Sequence, residues 1–138
     1  PAAAMKPIIA RLLLCLIAAL LLAGCGTIEK DKRRISLEAA LNRYGDAIRW
    51  GYYGPALELV HPDKRGAAPP DLDNIQVTGY DVEQPPLPSD ENTVLQVVRI
   101  DYVQRDRQVM RTIHDRQQWG YEPETNTWWL DSGLPTFR

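Results

Sequence analysis

Four polar residues interrupt a strand face that should otherwise be apolar, and they are the side chains most able to bind a ligand. Two strand-forming segments, Thr93 to Gln104 and Arg107 to Tyr121, flank Arg105-Asp106, which we interpret as a two-residue hairpin turn that puts Tyr102 opposite Val109. This register collects one set of side chains on a single face: Val94, Gln96, Val98, Ile100, Tyr102, Val109, Arg111, Ile113, Asp115, Gln117, Trp119 and Tyr121.

The polar members of this face are Gln96, Arg111, Asp115 and Gln117. A buried polar group is costly unless it is bonded, and a buried charge also needs a partner. Two explanations therefore stay open. Either these residues line a pocket for a polar ligand, joined by Trp50 and Tyr53 from the helical region, or they are satisfied within the core or lie at the open rim of the sheet.

The sequence contains no recognisable catalytic set. It has no Gly-rich phosphate loop, no nucleophile elbow and no His-rich metal spacing. We therefore predict no catalytic residue, no metal and no cofactor. His114 should face away from the helices, as a partly exposed structural residue or as a general base. His61, at a helix end before a proline, is interpreted as a capping or dipole-compensating residue.

Both cysteines lie in the first 25 residues, so the body of the chain has no disulfide framework and no cysteine metal site. After Pro1 to Ala4 and Met5, Lys6 and Arg11 precede an apolar run of 12 residues, Leu12 to Ala23. A membrane-spanning helix needs about 20 apolar residues. The charged start and short apolar run are typical of a secretory signal peptide.

Leu22-Ala23-Gly24-Cys25 resembles the bacterial lipobox. The resemblance implies that the Cys25 thiol receives a diacylglycerol, that the signal peptide of residues 1–24 is cleaved before it, and that the new amino group is then acylated. It also implies contact with the lipoprotein processing and sorting machinery. Because Gly26 stands where inner-membrane retention favours Asp, it implies the outer membrane, facing the periplasm. The alternative is an ordinary signal peptide with an incidental cysteine.

Residues 25–35 are predicted to form the lipidated cysteine and an extended tether. This segment is locally basic and either is a solvated linker or rests on anionic headgroups; its charged residues are Glu29, Lys30, Asp31, Lys32, Arg33 and Arg34. Without Lys6 and Arg11, the chain has 14 basic against 18 acidic residues. This balance argues against a nucleic-acid partner.

Helical periodicity begins at Ser36, a suitable N-cap. One amphipathic stripe follows, made of Leu37, Ala40, Leu41, Tyr44, Ala47 and Ile48. Gly51 is a natural helix end, and Pro55 restarts a second helix that stops before His61-Pro62. The two helices are expected to form a hairpin of about 25 residues. Residues 62–74 read as a loop.

Strand periodicity begins at Ile75. Gly79 marks a slip in the alternation, as a β-bulge requires, and the prolines from Pro85 to Pro88 are expected to break this strand. The hairpin described above follows, and then a last strand, Thr127 to Leu130. Helices followed by consecutive antiparallel strands predict an α+β fold, a helical hairpin packed on a curved antiparallel sheet.

Two groups of motifs resemble those of NTF2-like (SnoaL-like) proteins. Leu41-Asn42-Arg43-Tyr44 with Trp50-Gly51-Tyr52-Tyr53 is similar to their first helices, and Asp115 to Trp119 with Trp128 to Asp131 is similar to their closing strands. The resemblance implies an NTF2-like cone over residues 36–138, often with a ligand pocket between helices and sheet. No third helix is evident, so the pocket should be shallow or open.

The leading hypothesis is a lipid-anchored envelope protein that binds a small ligand or an envelope protein without catalysis. The first alternative is a small NTF2-like isomerase or hydrolase, and the second is a structural accessory of an envelope assembly. An apolar outer sheet face could form a homodimer or partner interface, or could be covered by the C-terminal tail with Leu134 and Phe137. It comprises Leu95, Val97, Val103, Met110 and one of Trp128 and Trp129.

Overall fold

The computed structural model describes residues 2–66 and 72–138 and shows an α+β protein in which a long N-terminal helix precedes a four-stranded antiparallel sheet. The elements are helix α1 (Ala2–Trp50), helix α2 (Tyr53–Glu58), single 3₁₀ turns at Pro62–Lys64 and Leu72–Asn74, and strands β1 (Ile75–Asp90), β2 (Thr93–Gln104), β3 (Val109–Glu122) and β4 (Thr127–Leu130). The middle of the predicted loop, residues 67–71, lies outside the described residues, as does Pro1.

The chain divides into two compact units, Pro1–Ile35 and Ser36–Arg138. In the first unit the apolar run is helical and its leucines are exposed, with Leu22 at 78% exposure. Within the described part of the chain, α1 is the one helix long and apolar enough to cross a membrane, a property that signal sequences share.

The expectation of an extended tether is wrong, because residues 25–35 are helical. Between Thr27 and Ile35 no proline or glycine interrupts the chain, and the Glu, Lys and Arg residues there are good helix formers. Ser36 therefore is not an N-cap. Its hydroxyl instead accepts a hydrogen bond from Trp128 Nε1 at 3.2 Å, within the second unit.

The amphipathic stripe of α1 is confirmed. Ala40, Tyr44, Ala47 and Ile48 are buried in the core. The helix ends at Trp50, and Gly51 follows with φ +75°, a left-handed conformation that favours glycine. The Tyr52 amide then donates to the Ala47 carbonyl at 2.8 Å. Helix α2 begins at Tyr53 rather than at Pro55 and has only six residues, so the second arm of the hairpin is shorter than predicted.

The strands follow each other in the order β1-β2-β3-β4. The predicted bulge is present as a register shift between Val77 and Gly79. The predicted break at the prolines is wrong, because β1 continues through them to Asp90 with further register shifts. This is possible because β1 is an edge strand, where prolines can direct the side that lacks an N–H toward solvent.

The β2–β3 hairpin has a four-residue turn, not the predicted two-residue one. Gln104 pairs with Val109, and Tyr102 therefore faces Arg111 instead of Val109. Asn74 holds this turn with its side chain, which accepts from the Asp106 amide and donates to the Asp106 carboxylate, both at 2.9 Å. The observed register differs from the predicted one by two residues, so every side chain of the hairpin lies on its predicted face.

The outer sheet face is not a continuous apolar surface. A polar band crosses its centre, in which His114 Nδ1 lies 2.8 Å from a Glu83 oxygen and Thr112 donates to Asp101 at 2.6 Å. The predicted cover by the C-terminal tail is also wrong, because Leu134 and Phe137 pack against the inner core instead. The Phe137 ring lies 4.9 Å from the ring of Tyr102.

The turn geometry allows a test of the register. Gln108 has φ +53°, a conformation that costs a β-branched residue about 1–3 kcal/mol. We expect Gln108→Val to lower the free energy of unfolding by about that amount and Gln108→Gly to leave it equal or raise it by up to about 1 kcal/mol. Urea denaturation measures both. In the two-residue turn, residue 108 would be an extended strand position, and the two variants would have the opposite order.

Candidate functional site

Gln117 is the centre of a buried hydrogen-bond network on the inner sheet face. It lies on β3, is 1% exposed and faces Gln96 of β2 across the ladder. Its Oε1 accepts from Gln96 Nε2 at 3.0 Å and from Trp119 Nε1 at 3.2 Å. Its Nε2 donates to the Tyr80 hydroxyl at 3.1 Å and to an Asp115 oxygen at 3.0 Å. Both acceptor positions and both amide hydrogens are thus in use.

Asp115, two residues before Gln117 on β3, adds a carboxylate to this network. Burial raises its pKa above the ordinary value, and the hydrogen bond from Gln117 opposes that rise. A desolvated carboxylate retains its proton more readily because the charged form loses its hydration. Asp115 is therefore more basic than a surface aspartate.

Two tyrosines complete the cluster. Burial raises the pKa of Tyr80 to about 12, and it raises the pKa of Tyr44 well above its ordinary value, with Asp115 and Tyr80 adding to the rise for Tyr44. The Tyr44 side chain is fully buried, and its hydroxyl has no hydrogen-bond partner among the residues that the structure describes. We call Tyr44, Tyr80, Gln96, Asp115 and Gln117 the polar centre.

A groove of about 580 Å³ opens beside the polar centre, between the second half of α1 and strands β1 and β2. Tyr80 and Gln96 belong to both. Val82 is 51% exposed in this groove although Tyr80, two residues earlier, packs against the core. The remaining lining residues are Glu38, Leu41, Asn42, Gly45, Asp46, Arg49 and Pro86. The groove thus combines apolar walls with charged groups from the helix.

Gly45 of α1 sets the distance between the helix and Tyr80. A Cβ at this position would lie 2.9 Å from Cε1 of the Tyr80 ring, closer than carbon atoms pack. Arg49, one helical turn further, is held by a 2.9 Å hydrogen bond from its guanidinium to the Val77 carbonyl and stacks 4.5 Å from the Trp50 ring. Helix and edge strand are therefore in close contact at Gly45 and are joined by a hydrogen bond at Arg49.

The structure brings together three of the six predicted ligand-binding residues, namely Gln96, Asp115 and Gln117. The other three lie elsewhere. Trp50 is 64% exposed near the end of α1. Arg111 is exposed on β3 opposite Tyr102. Tyr53 packs its ring 6.4 Å from Phe137, and its hydroxyl has no partner among the described residues.

Sequence analysis missed Tyr44 and Tyr80 as members of the site. Tyr44 was assigned to the helix stripe because its spacing is that of a core residue. Tyr80 turns inward because of the bulge before Gly79. The sequence predicted the bulge, but it did not predict the contact between Tyr80 and Gln117.

His114 lies on the outer face, as predicted, in contact with Glu83. His61 does not cap the end of α2. Its Nδ1 instead accepts from the Asp63 amide at 3.2 Å and so caps the start of the following 3₁₀ turn. In residues 2–66 and 72–138 there is no group of three or more His, Cys, Asp or Glu side chains arranged to hold a metal ion.

In comparisons with known proteins, no family model, no curated protein and no solved structure matches this chain. The class of this protein is therefore given by its α+β fold alone.

The saturated network allows a stability test. Gln117→Leu removes the hydrogen-bond partner that Trp119 Nε1 and Gln96 Nε2 have among residues 2–66 and 72–138. Each buried polar group left unpaired costs about 1–3 kcal/mol, so we expect a loss of about 3 kcal/mol in chemical denaturation. Gln118→Leu is the matched control, because its side chain is exposed on the other face. Equal losses in both variants would contradict the network.

Asp115 allows a pH test. Its pKa is raised above 3.8 in the folded state, so the folded protein retains this proton to higher pH than the unfolded chain. The stabilising contribution of this group is lost as pH rises from the pKa of Asp115 in the unfolded chain through its raised pKa in the folded protein. The stability of Asp115→Asn relative to the parent should therefore increase across this window and then stay constant. A decrease across the same window would mean that a cation holds Asp115 ionised.

Proposed function

We propose that this chain is a lipid-anchored protein of the bacterial envelope, acylated on Cys25 and held in the outer membrane facing the periplasm. The observation that carries the proposal is the lipobox, Leu22-Ala23-Gly24-Cys25, directly after the apolar run. The exposed position of Cys25 agrees with it, because a thiol must be accessible to be acylated. The lipoprotein processing and sorting machinery would be the first partners.

We further propose that residues 36–138 adopt an NTF2-like fold. Three features support this: α1 and α2 precede the strands, the strands form one antiparallel meander, and a groove opens between helix and sheet. An open groove agrees with the lack of a third α-helix among the described residues between α2 and β1.

The domain would bind a small ligand or an envelope protein in the groove, without catalysis. The arrangement of Gln117 supports binding over chemistry, because its four hydrogen-bonding positions are used inside the protein. Tyr80 and Tyr44 both stay neutral at physiological pH, since burial raises both pKa values. The groove offers Leu41 and Val82 as apolar contacts and Asp46 as a charged one.

Acylation would make membrane residence permanent. One buried CH₂ contributes about 0.8 kcal/mol, and a single acyl chain binds only reversibly. The two or three chains on Cys25 multiply this contribution. The bound domain would then search only the surface next to its membrane for a ligand or partner.

The test compares Cys25→Ser with Cys15→Ser in a bacterial host. We expect Cys25→Ser to abolish palmitate incorporation and to leave the signal peptide uncleaved, because no thiol remains to receive the diacylglycerol that is attached before cleavage. Globomycin should cause the parent precursor to accumulate. Cys15→Ser is the matched control, since this cysteine lies in the segment that is removed. Unchanged processing of the parent under globomycin, or normal cleavage of Cys25→Ser, would overturn the proposal.

A further inference from the structure

The segment that follows the proposed lipid anchor carries an apolar stripe with nothing packed on it. Ile28 and Ile35 are 57% and 59% exposed, although isoleucine is among the residues most often buried. Both lie in α1 within the first compact unit. An exposed apolar stripe next to an acylation site indicates contact with lipid.

The stripe is continuous with Cys25. Cys25, Ile28, Lys32 and Ile35 are spaced by three, four and three residues, which places all four on one face of a helix. Lys30 and Arg34 fall on the opposite face. The single lysine within the stripe can keep its stem along an apolar surface while its ammonium group reaches the headgroups.

We infer that residues 25–35 lie flat as a helix on the bilayer surface, with Ile28 and Ile35 inserted beside the acyl chains of Cys25. This inference rests on the proposed acylation of Cys25. It replaces the two earlier interpretations of this segment, a solvated linker and a basic contact with anionic headgroups. The driving contact is apolar, because Lys30 and Arg34 point away from the surface that Cys25 defines.

A flat helix limits the distance between Ser36 and the membrane. A helix of ten steps from Cys25 to Ile35 covers about 15 Å, and lying flat it keeps Ser36, the first residue of the second unit, at the membrane surface. An extended chain of the same length would allow a height of about 35 Å. Ligands or partners would therefore be met close to the bilayer.

The experiment uses the mature lipidated protein in vesicles of phosphatidylethanolamine and phosphatidylglycerol. Once residues 1–24 are removed, Cys25 is the only cysteine and is acylated, so an added cysteine takes a nitroxide label specifically. Single variants Ile28→Cys, Lys32→Cys and Ile35→Cys probe the stripe, and Lys30→Cys and Arg34→Cys are matched controls. Electron paramagnetic resonance measures label collision with oxygen, which concentrates in lipid, and with a water-soluble nickel chelate.

We expect the ratio of oxygen to nickel collisions to be several-fold higher at positions 28, 32 and 35 than at positions 30 and 34. This contrast should persist when phosphatidylglycerol is omitted, since the contact is apolar. Uniformly high nickel access in vesicle-bound protein would overturn the flat helix and leave the anchor intact, whereas failure of the protein to bind vesicles would overturn the anchor itself. Loss of the contrast without phosphatidylglycerol would show that headgroup charge, rather than the isoleucines, holds the segment.

Discussion

The inner face of the sheet depends on hydrogen bonds that close around Gln117. Its amide satisfies Gln96 and Trp119 on one side and Tyr80 and Asp115 on the other. Without this amide, three strands would meet the helix with unpaired polar groups, each a substantial cost in a dry interior. The network therefore explains why polar residues persist on a face that otherwise consists of Val, Ile, Tyr and Trp.

The members of this network differ in whether they reach the groove. Gln117 is enclosed, whereas Tyr80 and Gln96 reach the groove between α1 and β1. The close approach of Gly45 to the Tyr80 ring and the hydrogen bond from Arg49 to Val77 fix the groove's width. A ligand would thus meet walls that are already positioned, which reduces the entropy lost on binding.

The two units of the chain differ in the exposure of their apolar side chains. In the first unit the leucine and isoleucine side chains are exposed along α1, as the proposed membrane anchor requires. In the second unit the apolar side chains are enclosed between helix and sheet. The change occurs at Ile35 and Ser36, where the exposed stripe gives way to the buried one. The proposed anchoring and the proposed binding would therefore depend on different units of the chain.

The sequence alone determined which side chains of the helix stripe and of the β2–β3 hairpin face inward, and the α+β order of the elements, because helical and strand periodicities are local. Even the wrong hairpin turn preserved the faces, since the error was an even number of residues. Only the tertiary structure decided which polar residues meet. Arg111 and Trp50 left the predicted site and Tyr80 and Tyr44 entered it, because bulges, turn length and strand order act between residues far apart in the chain. The helical course of residues 25–35, in contrast, follows from local helix propensity, because no proline or glycine interrupts the chain between Thr27 and Ile35.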